Sequence, residues 1–96
     1  MVNVSQALEL VKTRLNRLQT DQTLDPYFEA RITAAAQELE GTGIKLDPDS
    51  TEDLLLVVDY TVWQYQSRDS QTGMPDWLRL RRRERWVRQG VRSDDS

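Results

Sequence analysis

Residues 50–68 read STEDLLLVVDYTVWQYQSR, and the state assigned to this stretch decides the fold. On residue type alone LLLVV suits a buried strand as well as a helix. Length arbitrates. About sixteen residues with acidic N-terminal caps and no internal Gly or Pro exceed an ordinary strand and favour a helix. On a helical wheel Leu54, Leu55, Val58, Val62 and Tyr65 share one face, while Leu56, Tyr60 and Trp63 share a second. A helix apolar on two sides is either central in its domain or half committed to a partner. The segment therefore reads as the core helix, with Leu56, Tyr60 and Trp63 as a candidate contact face. Asp59 stands as a lone acid within it, either a satisfied polar group at a boundary or half of an ion pair across a subunit interface.

Helices flank it on both sides. Val4, Ala7, Leu8, Val11, Leu15 and Leu18 form one stripe and predict a helix over about 4–18, capped by Asn3 or Ser5, with Asn3 and Gln6 at capping-box spacing. After the loop QTDQT, Asp25 as N-cap and Pro26 at the first helical position open a second helix. Phe28, Ile32, Ala35 and Leu39 are its buried face, Ala34–Ala36 keep it slim, and Gly41 and Gly43 stop it. Ile44 and Leu46 are expected to tuck back onto the core. The DPDSTED segment caps helix three better than it serves as a calcium loop, since it lacks the required Gly and distal Glu. After the turn RDSQTG, Met74-Pro75 opens a fourth helix expected to stop at Gly90. Trp77, Leu80, Val87 and Val91 should face inward, with Arg81, Arg85, Arg88 and Arg92 beside them. Trp86 falls on the opposite side among Arg79, Arg82 and Arg83. The expected fold is all-α: one domain over 1–92, a small bundle of about four helices with a long central helix and a basic C-terminal helix, and a disordered tail at 93–96.

Composition narrows function. In 96 residues there is room for one modest core, burying about 60% of the unfolded surface. Leu, Ile, Val and Phe make up about 24% of the chain, above the level typical of disordered sequences. There is no Cys and no His, which removes thiolate and imidazole chemistry together. Glu38 and Glu40 point apart on a helix, so they do not form an acid–base pair. No phosphate loop or nucleophile elbow occurs. No catalytic, cofactor or metal role is assigned, and the chain is read as not an enzyme. The N-terminus lacks signal-peptide character, and the run Leu54–Val58 is far short of a membrane span, so a protein made in a cytoplasm, without a membrane partner, is expected.

The net charge of −3 conceals a division. Residues 1–76 carry −7 and residues 77–96 carry +4, which points to an acidic partner surface or to nucleic acid. All seven basic residues of the second part are Arg, whose guanidinium suits bidentate interface contacts. Arg79, Arg81, Arg82, Arg85, Trp86 and Arg88 are the candidate interface residues, since Trp and Arg are the types most enriched at interface hot spots.

The patterns LDPYFEARITAAAQELEGTGI, LLLVVDYTVWQYQSRD and MPDWLRLRRRERWV resemble the small head–tail connector (adaptor) proteins of tailed bacteriophages, over about Leu24 to Val87. Asp59-Tyr60, Trp63 and Arg68, then Met74-Pro75, Leu78, Arg79 and Arg81, carry the resemblance. Arg83, Glu84 and Arg85 stand where many relatives have an Asn-rich turn. The resemblance implies a virion protein at the head–tail interface, made in the bacterial host. It implies a homo-oligomeric ring of about twelve copies between the portal protein and a tail-side completion or stopper protein. Double-stranded DNA would pass through that ring without specific binding. The alternative is a small nucleic-acid-binding module using the Arg-rich C-terminal helix, against which the acidic body argues.

Overall fold

The computed structural model describes residues 2–68 and 73–94, and of residues 90–94 the backbone alone. It contains four helices, α1 (Val4–Arg14), α2 (Asp25–Gly41), α3 (Thr51–Gln66) and α4 (Asp76–Asp94), and no strand among the described residues. The chain is an all-α bundle.

α1 starts where the sequence places it: the Asn3 side chain accepts a hydrogen bond from the Gln6 N–H at 3.1 Å. It ends four residues early. Asn16 has φ 59, a left-handed conformation that Asn tolerates, and Leu18 is 73% exposed instead of closing the stripe. The cause is Lys12, only 3% exposed. Its ammonium donates to the carbonyls of Gln19 (2.9 Å) and Asp21 (2.7 Å) and lies 3.0 Å from Asp25 Oδ1. A buried ammonium needs such a set of oxygens, and the loop after α1 wraps around it to supply them. Asp25 is thereby taken from the capping role expected of it: the N-cap of α2 is Leu24, with no side-chain cap bond.

The inner face of α2 is as the spacing predicts, with Phe28, Ile32, Ala35 and Leu39 buried and Ala36 added. Past its end Gly43 takes φ 103, a left-handed turn open to glycine at no steric cost. Ile44 and Leu46 then return to the core. Ser50 accepts from the Asp53 N–H at 3.2 Å and caps α3. α3 packs against each of the other three helices and buries Leu56, Val57, Val58, Tyr60, Thr61 and Val62, so it is the core helix. Leu55, assigned to its inner face, is exposed instead.

α4 departs most from expectation. Pro75 precedes the helix instead of opening it, and α4 continues through Gly90 to Asp94. A helical glycine costs about 1 kcal/mol but imposes no stop. Trp77, Leu80 and Val87, expected to face inward, are 49%, 54% and 41% exposed, and among the described side chains of α4 Leu78 is the buried apolar one. The side chains of Val91 and Arg92, most of the turn at 68–73, and residues 95 and 96 of the expected tail lie outside the described residues. The molecule measures 47 × 31 × 17 Å with a radius of gyration of 13.9 Å, above the roughly 12.5 Å of a typical domain this size.

Candidate interface on the fourth helix

α4 is fastened to α3 by ion pairs. Arg81 pairs with Asp59, which also receives Arg14 from α1. Arg85 forks onto Asp53, Nε to Oδ1 at 2.7 Å and Nη2 to Oδ2 at 3.1 Å. Arg88 pairs with Glu52. The arginines ascend at spacings of four and three as the acids descend from 59 to 52, so the two helices zip antiparallel. Asp59 is thus a paired group inside one chain.

The Asp53–Arg85 pair is the buried rung, with Asp53 1% exposed. Asp53 Oδ2 also accepts the Asp47 N–H at 2.8 Å. Burial alone would raise the Asp53 pKa, but the Arg85 hydrogen bond, the Asp47 amide and the Arg85 and Arg88 charges outweigh it and hold the carboxyl below its ordinary value. Hydrogen bonding to Asp53 raises the Arg85 pKa in turn. The Arg88 hydrogen bond likewise lowers Glu52.

The same turn of α4 grips the loop after α2. Arg85 Nη2 donates to the Lys45 carbonyl at 2.6 Å. Gln89 accepts from the Lys45 N–H at 2.6 Å and donates to the Gly43 carbonyl. Trp86 lies against Gly43 so closely that a Cβ there would sit 2.9 Å from the indole Nε1. Half of Trp86 remains exposed.

The residues singled out in the sequence therefore separate into two groups. Arg81, Arg85, Arg88 and much of Trp86 are engaged within the chain. Leu56 and Tyr60 are buried by it, and Trp63 is half-buried with its ring edge-on to Tyr60 at 5.5 Å. Burial raises the Tyr60 pKa, the Glu38 charge adds to this, and Arg82 opposes it. Arg79 pairs with Asp76 at 3.3 Å in an exposed position, and Arg83 is exposed. Lys12, Asp53, Glu52 and Gln89 were not singled out. No local period marks the acids: positions 52, 53 and 59 are spaced by one and six, against four and three for 81, 85 and 88.

What α4 offers outward is apolar. Trp77, Leu80 and Val87 follow at spacings of three and seven, a seam of the kind helices pair through, on the flank of α4 beside its ion-paired arginines. Leu80 and Val87 also line an open groove of about 850 Å³ together with the buried Leu56, Arg83, Glu84 and the ion-paired Arg81, Arg85, Arg88 and Glu52. Exposed apolar strips rimmed by charge are a common feature of protein-contact surfaces. Among the described residues no group of three acidic side chains could hold a metal ion, and no helix is long and apolar enough to cross a membrane. Compared with protein-family models, curated proteins and solved structures, the chain matches none.

Proposed function

We propose that this chain is a structural assembly protein, a head–tail connector of a tailed bacteriophage. It would take its place in a ring of about twelve copies between the portal and a tail-side stopper protein, continuing the DNA channel. The observation that carries the reading is the exposed strip Trp77, Leu80 and Val87. Three large apolar residues held out along one helix are costly for a chain that works alone. The resemblance over residues 24–87 supplies the particular class. The nucleic-acid-binding alternative draws less support: Arg81, Arg85 and Arg88 are each engaged by a carboxylate and are not free for phosphates.

The test is assembly on the portal protein of the same phage, followed by mass measurement and electron microscopy. Rings of about twelve copies seated on the portal are expected. A chain that stays monomeric with the portal present, and whose DNA affinity falls steeply with salt, would overturn the reading in favour of the alternative.

A further inference from the structure

The strip on α4 has a complementary face elsewhere on the same protein. α2 turns Phe28, Ile32, Ala35 and Leu39 to the core, and its opposite side carries Tyr27, Ala30, Ala34, Gln37 and Gly41, all exposed. That side repeats at spacings of three and four, as the α4 strip does, but with small and uncharged residues along its middle. One edge of it carries the exposed acids Glu29 and Glu40. The α4 strip has the converse character. Its knobs are large, and one edge carries the exposed Arg79 and Arg83. Large side chains seat against small ones at a close helix–helix contact. An antiparallel pairing sets the edge bearing Arg79 and Arg83 along the edge bearing Glu29 and Glu40. It also brings Glu84, the acid within the strip, toward Arg31, the cation of α2.

We propose that the occupant of the α4 strip is a second copy of this chain, docked through its outer α2 face. Two α4 strips are a poor match for each other, because both carry arginines on each edge and like charges would face across the seam. The α2 face answers in both shape and charge. The strip and the face are different surfaces of one molecule, so the contact is heterologous and propagates head to tail, closing into a ring if the rotation allows. The inference rests on the assembly reading and names the surfaces by which copies meet.

The chain has no Cys, which permits a clean test. Leu80→Cys and Ala34→Cys are placed in separate full-length chains, mixed and oxidised, with Ser5→Cys, exposed on α1, as the control. The Leu80→Cys chain should form a disulfide-linked species of about 22 kDa, twice the 11.2 kDa monomer, with Ala34→Cys at least ten-fold faster than with Ser5→Cys. Arg83→Glu in the first chain should slow that reaction, and Glu29→Arg in the second should restore it. Equal rates with Ala34→Cys and Ser5→Cys overturn the inference, as does preferred linkage of Leu80→Cys to itself. Rings on the portal without the preferred crosslink would sink this contact and leave the connector reading standing. The crosslink without portal rings would do the reverse.

Discussion

Asp53 joins α4 to α3 through a buried ion pair, so Asp53→Ala tests the account of how that helix is held. The substitution leaves Arg85, 16% exposed, without its forked partner, and the Asp47 N–H without its acceptor. Removing one side of a buried ion pair costs about 3–5 kcal/mol. Arg85 keeps the Lys45 carbonyl and Gln89, which reduces the expected loss to about 2–3 kcal/mol. Among its described side chains α4 fully buries only Leu78, so the loss should fall on its docking and leave the α1–α3 core intact. Hydrogen exchange of α4 amides should then accelerate by about 30- to 150-fold, at a factor of ten per 1.4 kcal/mol, while amides around Ile32 and Val58 hold. The pH dependence follows from the lowered pKa. A carboxyl with a folded pKa below its unfolded value of about 3.9 stabilises fully above that value, and the contribution fades as pH falls through the folded pKa. The parent protein should therefore release α4 only in acid, and Asp53→Asn should remove that part of the acid transition. Wild-type exchange rates on α4 in Asp53→Ala, or core and α4 amides accelerating equally, would refute the reasoning.

Four further outcomes are expected. Leu78→Ala removes the buried apolar anchor of α4 and should cost about 2–4 kcal/mol in urea denaturation; a loss below 1 kcal/mol would mean that the ion pairs alone hold the helix. Lys12→Met should destabilise by about 3 kcal/mol, because Asp25 and two carbonyls lose the buried ammonium, and an unchanged midpoint would count against the wrapped loop. Gly43→Ala meets both a left-handed φ and the Trp86 indole, so about 1–3 kcal/mol of strain and an altered near-ultraviolet tryptophan signal should appear together. Asp59→Asn is the contrasting case. Both of its arginine partners are more than a third exposed, so the effect should stay within about 1 kcal/mol and vanish in molar salt.

Local patterns were legible where one helix meets its core alone. The α2 face Phe28, Ile32, Ala35 and Leu39 follows from spacing, the Asn3 cap from residue type and position, and the start of α3 from the capping character of the DPDSTED segment. Expectations failed where a residue had a competing distant partner. Asp25 was an apt N-cap by type, but Lys12 claims its carboxylate from another helix. The α1 stripe ran on to Leu18 in the sequence, and the same lysine ended it by drawing the loop inward. On α4 the sequence held two periodic faces side by side, and the apolar one was given the core. The candidate arginines were correctly gathered on one helix, but their acidic partners were sought on another molecule.

The sequence by itself determined that the chain is a helical domain with one central helix, because helix periodicity, capping and the length of residues 51–66 depend on neighbours within a few turns. It also determined that cysteine and histidine chemistry is absent, which composition states outright. The tertiary structure alone decided which face of α4 turns inward. That choice depends on acids at 52, 53 and 59 lying in register with arginines at 81, 85 and 88, a match between distant segments that no local period encodes. By satisfying those charges internally, the fold leaves Trp77, Leu80 and Val87 outside. The strip left exposed is therefore the apolar one that the sequence had placed in the core.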